Sequence, residues 1–196
     1  MKEVQTRKSN FELMRIISMF FIVFWHVLLH TNIIHNATGT LQYLSTFIYI
    51  LISIHVNSFV LVTGYFQYNK KMKIRKILNL MGQVWFYNIL FVVLTLVIGF
   101  MTLSRLEIIQ STSFLNMGGY WFVNSYIALY LLTPLLNIFV EKASQKEHKM
   151  ILAILFIIFS VVAVLTKQQT ITNDGRSVIA FIFLYLIGAY LGKYPI

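Results

Sequence analysis

The chain contains no cysteine, and only 11% of its residues are charged. It therefore cannot form disulfides, use a thiolate nucleophile or bind a metal through cysteine sulfur. Carboxylates are also scarce, with six Asp and Glu in 196 residues and Asp174 as the single aspartate. No G-x-S-x-G elbow accompanies that aspartate, and no glycine-rich phosphate loop is present. The sequence thus argues against a serine-triad hydrolase and against a nucleotide-binding domain.

Long apolar runs dominate the sequence instead. The chain is 58% hydrophobic, and several runs approach or exceed the roughly 20 residues that span a bilayer. We predict an all-α polytopic membrane bundle of about six transmembrane helices, near residues 11–31, 41–66, 77–101, 120–140, 150–166 and 177–192. The basic N-terminus resembles a signal peptide, but no small-x-small site follows Leu29 and further apolar runs follow. The first run is therefore interpreted as an uncleaved helix.

The positive charge is distributed unevenly between the loops. The chain carries 16 Lys and Arg against 6 acidic residues, a net charge of +10. With the N-terminus in the cytoplasm, all but Arg105, Lys167 and Arg176 fall on the cytoplasmic side. The positive-inside rule then predicts a multi-pass cell-membrane protein with both termini cytoplasmic. This topology explains the basic pI without nucleic acid, although such a cluster can also bind a phosphorylated cofactor or anionic lipids.

The first apolar run, residues 11–30, carries four titratable groups: Glu12, Arg15, His26 and His30. At 100° per residue the other three lie within about 60° of Arg15, and His26 lies roughly 16 Å from it along the axis. Charged groups are costly in hydrocarbon, so the shared stripe favours a functional role. Structural explanations stay open for each: Glu12 can neutralise Arg15, Arg15 can snorkel to the headgroups, and His26 can hydrogen-bond inside the bundle.

A metal site is not expected. His26 and His30 are four residues apart on one helical face, a spacing that can ligate zinc. However, the predicted helices contain no aspartate, and Glu12 lies too far from His30 to join the pair.

Two other predicted helices carry polar residues. In the predicted helix 120–140, one stripe holds side chains that can hydrogen-bond to a neighbouring helix or line a polar cavity. Pro134 is expected to bend this helix. That stripe consists of Tyr126, Tyr130, Thr133 and Asn137. In 41–66, Asn57 and Gly64 share a face, and Gly64 would permit close approach of a helix or ligand. His55 lies about 160° from Asn57, so we do not group the two residues, and a lone histidine in an apolar helix is more often packed than catalytic.

Three stretches resemble one protein family. The first is the phrase Glu12-Leu13-Met14-Arg15, followed by His26. The second is VNSFVLVTGYF at residues 56–66, with Thr63 where serine is usual. The third is WFVNSYIALYLLTPLL at residues 121–136. In this order they resemble the family-3 membrane acyltransferases, bacterial integral membrane proteins that O-acylate sugars and other surface molecules, and the final FIFLYLIGAYLGKY is similar too.

The resemblance spans most of the chain but includes one departure. Family members usually have more transmembrane helices than the six predicted here. Residues 1–196 are therefore expected to form a single transmembrane acyltransferase-like domain that corresponds to the N-terminal part of the usual one. A truncated or partial member would be inactive if later helices contribute to the site.

The resemblance implies transfer of an acyl group, most often acetyl from acetyl-CoA, to a hydroxyl of a cell-surface carbohydrate. It implies His26 as general base or acyl carrier, with Arg15 and Glu12 as further catalytic residues. Acyl-CoA would bind Arg75, Lys76 and Thr63, and a glycan or lipid-linked sugar acceptor would bind Trp121 and Tyr130. Beyond these partners and membrane lipids no nucleic acid is expected, and the oligomeric state is left open. The alternatives are a non-catalytic component of polysaccharide export or transport and an inactive acyltransferase fragment.

Overall fold

The computed structural model describes residues 9–31, 36–99, 104–112, 120–166 and 175–194, and within these ranges it contains helices but no strands. The helices are α1 (Ser9–His30), α2 (Thr40–Ile52), α3 (His55–Gln67), α4 (Ile74–Ile98), α5 (Arg105–Thr112), α6 (Trp121–Lys142), α7 (Gln145–Phe156), a π-helix (Ile157–Val162), α8 (Ala163–Thr166) and α9 (Val178–Lys193).

Five helical segments in the described part of the chain are long and apolar enough to cross a membrane. They are Ser9–His30, Thr40–Gln67, Ile74–Ile98, Trp121–Lys142 and Gln145–Leu165, and α9 is a shorter apolar helix. Most side chains of the first, third and fifth segments are exposed, which suits contact with hydrocarbon. The prediction of an all-α polytopic membrane bundle is confirmed.

The second predicted helix, 41–66, is divided by a break at Ser53 and Ile54. The Ser53 hydroxyl donates to the Ile50 carbonyl at 2.7 Å, and His55 Nδ1 donates to the Ile52 carbonyl. Side chains that bond nearby carbonyls compete with the helical backbone pattern. The break therefore places His55 at the first position of α3 rather than in the middle of a helix.

Three other boundaries differ from the predicted ones. The helix predicted at 77–101 begins at Ile74, and the connection predicted at 102–119 contains α5. The helix predicted to start at 150 begins at Gln145, because Ser144 and Glu147 form a capping box. The Glu147 carboxylate accepts the Ser144 backbone N–H at 2.8 Å, and the Ser144 hydroxyl accepts the Glu147 N–H at 3.3 Å. These bonds satisfy donors that a helix start otherwise leaves unpaired.

Helices α3 and α9 pack backbone against backbone. A Cβ added at Gly64 would overlap the Tyr185 carbonyl oxygen and lie 2.9 Å from its carbonyl carbon. A Cβ added at Gly188 would likewise overlap the Leu61 carbonyl oxygen. Small residues allow this close approach between membrane helices, so the expectation that Gly64 permits close approach of another helix is confirmed. The buried core beside this contact consists of Val60, Leu129, Val140, Phe181, Tyr185, Leu186 and Ala189.

Helix α6 continues through Pro134 because a side chain replaces the missing backbone donor. Proline has no N–H with which to bond the carbonyl of Tyr130, four residues earlier. The Thr133 hydroxyl donates to that carbonyl at 2.6 Å, and Thr133 is 0% exposed. The polar stripe predicted on this helix thus includes one residue, Thr133, whose hydroxyl replaces a missing backbone hydrogen bond.

One end of the bundle is closed by polar contacts between loops and helix ends. Asn137 Nδ2 donates to the carbonyls of Gln67 and Lys70, at 3.0 Å each. Lys193 Nζ donates to the Ala143 carbonyl at 2.9 Å, where its charge complements the C-terminus of α6. We call this end, with residues 70–76, 142–149 and Lys193, the basic end. The opposite end, where α1 finishes and α6 and α9 begin, is the pocket end.

Candidate functional site

A cavity of about 590 Å³ opens at the pocket end, and we call it the pocket-end cavity. Its walls come from α1, from the break between α2 and α3, from the start of α6 and from the turn before α9. The polar and aromatic side chains that line it include His26, Tyr49, His55, Asn57, Trp121 and Arg176. Four separate stretches of sequence therefore supply one site.

His26 presents a usable nitrogen in this cavity. Its Nδ1 lies 2.8 Å from the Ile22 carbonyl oxygen, which can only accept, so Nδ1 carries the proton. The Nε2 lone pair of the neutral ring is then available as a base or nucleophile. The ring stacks on His30, with centroids 6.0 Å apart. Within the residues that the structure describes, no third His, Asp or Glu joins this pair to form a metal cluster.

Trp121 and Arg176 form a second wall of the pocket-end cavity. The Arg176 guanidinium lies 5.4 Å from the centre of the Trp121 ring, a cation–π arrangement. The Ser125 hydroxyl donates to the Arg176 backbone carbonyl at 3.0 Å, which fixes the turn that carries the arginine. An aromatic face beside a cation can bind a ligand with apolar faces and polar oxygens. Trp121 was predicted from the sequence as an acceptor-binding residue, whereas Arg176 was considered only as a positive charge in a non-cytoplasmic loop.

Tyr130 lies far from Trp121, although both were predicted to bind the acceptor. The two residues are nine positions apart in α6, which corresponds to roughly 13 Å along the helix axis. The Tyr130 hydroxyl accepts the Lys73 backbone N–H at 3.2 Å, and Lys76 Nζ lies 5.8 Å from the Tyr130 ring centre. Lys76, Tyr126 and Tyr130 border a cavity of about 220 Å³. The structure therefore groups Tyr130 with a predicted cofactor residue at the basic end.

The other predicted cofactor residues lie near the same end of the bundle. Arg75 is exposed in the first turn of α4. Thr63 donates to the Phe59 carbonyl at 2.9 Å, and its hydroxyl lies 3.4 Å from that of Tyr126. Thr63 therefore faces the same aromatic side of α6 that borders the Lys76 cavity.

Glu12 and Arg15 form an ion pair near the start of α1. Arg15 Nη1 lies 3.7 Å from Glu12 Oε1, and both side chains are 45% exposed. The start of α1 belongs to the basic end, since the Phe11 ring packs 4.8 Å from the Tyr65 ring at the end of α3. Glu12 thus neutralises Arg15, as one structural explanation expected, and neither residue lines the pocket-end cavity. Their catalytic roles stay predictions.

His55 is the residue that sequence reasoning left outside the site. His55 and Asn57 both lie in the first turn of α3, so the angle of about 160° between them holds, but it does not separate them at a helix end. Residues on different faces of a first turn can both border a cavity at the end of that helix, and His55 and Asn57 do so here. The preceding Ser53, whose hydroxyl can bond a nearby carbonyl, was the signal available in the sequence.

His55 also borders a second cavity. This cavity, of about 310 Å³, lies between α1 and the start of α3, and we call it the apolar groove. Along α1 it extends from Asn10, past Ser18, to Phe21, roughly 16 Å of helix. It therefore runs from the basic end toward the pocket-end cavity, with His55 at the junction.

These features define a class: a multi-pass helical membrane protein with a cavity whose lining combines histidines with aromatic side chains. The model of the acyltransferase 3 family, described as an acyltransferase domain, matches residues 8–196. The chain belongs to this family, which confirms the resemblance seen in the three sequence motifs, and we accordingly describe it as a membrane acyltransferase. No curated protein and no solved structure matches the chain.

Proposed function

We propose that the chain is an O-acyltransferase of the cell membrane that moves an acyl group, acetyl in the simplest case, from acyl-CoA to a carbohydrate hydroxyl. The observation that carries the proposal is the pocket-end cavity, which joins the Nε2 lone pair of His26 to the Trp121–Arg176 wall. A general base assists acylation of a hydroxyl, and an aromatic face can pack against a sugar ring.

The acceptor would bind at the pocket end. An indole packs against the apolar C–H face of a sugar ring, and guanidinium donors bond its oxygens. A cavity of about 590 Å³ accommodates one or two sugar units of a glycan or lipid-linked sugar. In this arrangement Trp121 and Arg176 orient the acceptor so that one hydroxyl faces His26.

The donor would bind from the basic end. Lys76 and Arg75 at the start of α4 offer cations for the CoA phosphates, and Arg15 adds another near the start of α1. The pantetheine arm and acyl group are uncharged, which suits the apolar groove between α1 and α3. Tyr130 borders the Lys76 cavity and Thr63 lies beside Tyr126 of the same cavity, where both would contact the cofactor.

The membrane orientation follows from the charges. With the basic end in the cytoplasm, both termini are cytoplasmic and acyl-CoA meets its site in the compartment that holds it. The pocket-end cavity then faces the outer side of a bacterial plasma membrane, where surface glycans are completed. The two substrates reach the protein from opposite sides.

In the acyl-transfer step, His26 Nε2 accepts the proton of the acceptor hydroxyl while the hydroxyl oxygen attacks the acyl carbonyl carbon. An ester bond forms, and the overall reaction releases CoA as its thiol. Because Nδ1 of His26 is already bonded to the Ile22 carbonyl, the imidazolium that results keeps a partner for its second proton.

The test measures label transfer from [¹⁴C]acetyl-CoA into glycan or lipid in membranes that contain the full chain. We expect His26→Ala to lower the rate by about 10²-fold or more, the usual contribution of a general base. His30→Ala is the matched control, since His30 lies one turn further on the same face but does not line the cavity, and it should retain its activity. Equal transfer by the His26 variant, at equal membrane insertion, contradicts the proposal, and absence of transfer by the unmodified chain favours a non-catalytic role.

A further inference from the structure

We infer that His55 is a second catalytic histidine, which carries the acyl group covalently from the donor side to the acceptor side. The inference rests on the proposed function and adds an intermediate to it. His55 is the residue that borders both the apolar groove and the pocket-end cavity among their lining residues. A group that passes from one cavity to the other passes this imidazole.

The environment of His55 leaves one nitrogen free to react. Its Nδ1 donates to the Ile52 carbonyl, so Nε2 of the neutral ring carries the lone pair. The residue is 4% exposed and is the first residue of α3, directly after the break between α2 and α3. A neutral imidazole that is shielded from water suits a nucleophile whose acyl adduct must survive until the acceptor arrives.

The two histidines flank a single indole. The Trp25 ring lies 6.1 Å from the His55 ring and 5.1 Å from the His26 ring, measured between centroids. Trp25 also stacks on Tyr49 at 5.5 Å, which fixes its position in the cavity wall. His55 and His26 are therefore near neighbours that do not bond each other, so each is available for a separate step.

The chemistry divides into two balanced steps. First, His55 Nε2 attacks the thioester carbonyl carbon; a C–N bond forms, the C–S bond breaks, and CoA leaves as a thiolate. The acyl-imidazolium keeps its Nδ1 proton on the Ile52 carbonyl. Second, the acceptor oxygen attacks the same carbon and gives its proton to His26 Nε2, the C–N bond breaks, and His55 returns to its neutral form. The proton on His26 balances the thiolate, so the net products are ester and CoA thiol.

The experiment is isotope exchange with the full chain in proteoliposomes and without acceptor, where labelled CoA enters acetyl-CoA only if a covalent intermediate forms. We expect His26→Ala to retain the exchange and to accumulate acyl groups on His55 that hydroxylamine releases. His55→Gln should lose the exchange about 100-fold or more, whereas His30→Gln, the same change at a histidine that lines neither cavity, should keep it.

Three outcomes overturn the inference. One is exchange by His55→Gln at the rate of the unmodified chain, and another is glycan acylation without any exchange, which leaves the proposed function standing with direct transfer. The third is a peptide map of acylated His26→Ala that places the acyl group on another residue; this map needs no His55 variant and so does not depend on how that variant folds. Absence of both acylation and exchange in the unmodified chain refutes the proposed function itself.

Discussion

The Thr133 hydroxyl stabilises a helix that Pro134 would otherwise leave with an unpaired carbonyl. Replacing Thr133 by Val keeps the shape of the side chain but removes the donor to the Tyr130 carbonyl, now 2.6 Å away. Thr133 is 0% exposed, so water cannot replace the lost bond, and the proline nitrogen has no hydrogen to offer.

The size of the loss in stability follows from the lack of another donor for the Tyr130 carbonyl. An unpaired buried acceptor costs about 1–3 kcal/mol in proteins, whereas side-chain hydrogen bonds between membrane helices average about 0.6 kcal/mol because alternative partners exist. Here no alternative backbone donor stands at position 134, so we expect a loss of about 1–2 kcal/mol. The free energy of unfolding, measured by SDS titration in mixed micelles with circular dichroism, reports it directly.

A double-mutant cycle isolates the cause. Pro134→Ala restores a backbone N–H that can bond the Tyr130 carbonyl, so Thr133→Val should cost less than about 0.5 kcal/mol in that background. The coupling energy between the two positions should then be about 1 kcal/mol or more. If Thr133→Val costs the same with alanine as with proline at 134, the hydroxyl does not replace the missing donor and the reasoning fails.

Three further predictions concern the helix contacts and ends. Gly64→Ala should lower stability by about 1–3 kcal/mol, because carbon atoms pack best at about 3.5–4.0 Å and the added Cβ would lie 2.9 Å from the Tyr185 carbonyl carbon. Gly82→Ala, with no atom within 4 Å of the new methyl, should be neutral or stabilising in the same SDS titration. Lys193→Met should cost about 1–2 kcal/mol by removing the donor to the Ala143 carbonyl, with Lys193→Arg retaining part of it; equal loss in both would argue against a charged cap. Finally, the Ser104 backbone N–H and hydroxyl hold the pKa of Glu107 below its usual value, so Ser104→Ala should raise that pKa in a carboxyl NMR titration, and an unchanged pKa would show that the hydroxyl contributes nothing.

Much of the fold could be predicted because apolar length and charge are local properties of a sequence. Runs such as Trp121–Lys142 are read directly from composition, and Gly64 marked a close helix contact since few other reasons place glycine in an apolar helix. The break before His55 could not be predicted in this way. It depends on whether the Ser53 and His55 side chains bond the preceding carbonyls, a competition between bonds of similar strength.

The candidate site was predicted in part for the same reason. His26 was identified because a helical wheel places it on a stripe with Arg15, and α1 is continuous. His55 was set aside because a wheel places it opposite Asn57, although both residues lie in the first turn of α3 and border the same cavity. Tyr130 was grouped with Trp121 by chemistry, although their spacing along α6 already separates them. Arg176 could not be identified as part of the site because its loop meets α6 only in three dimensions.

The contact between α3 and α9 has a consequence for biosynthesis. The Tyr68 hydroxyl on one side of this contact bonds the Gly192 carbonyl on the other, across 124 residues of sequence. A ribosome adds roughly 5–20 residues per second, so α3 waits about 6–25 s for its partner. During that time the surface of α3 around Gly64 lacks its α9 partner and faces lipid, the translocation machinery or an insertion chaperone. A surface that packs backbone against backbone in the finished protein therefore stays unpaired for much of the time in which the protein is made.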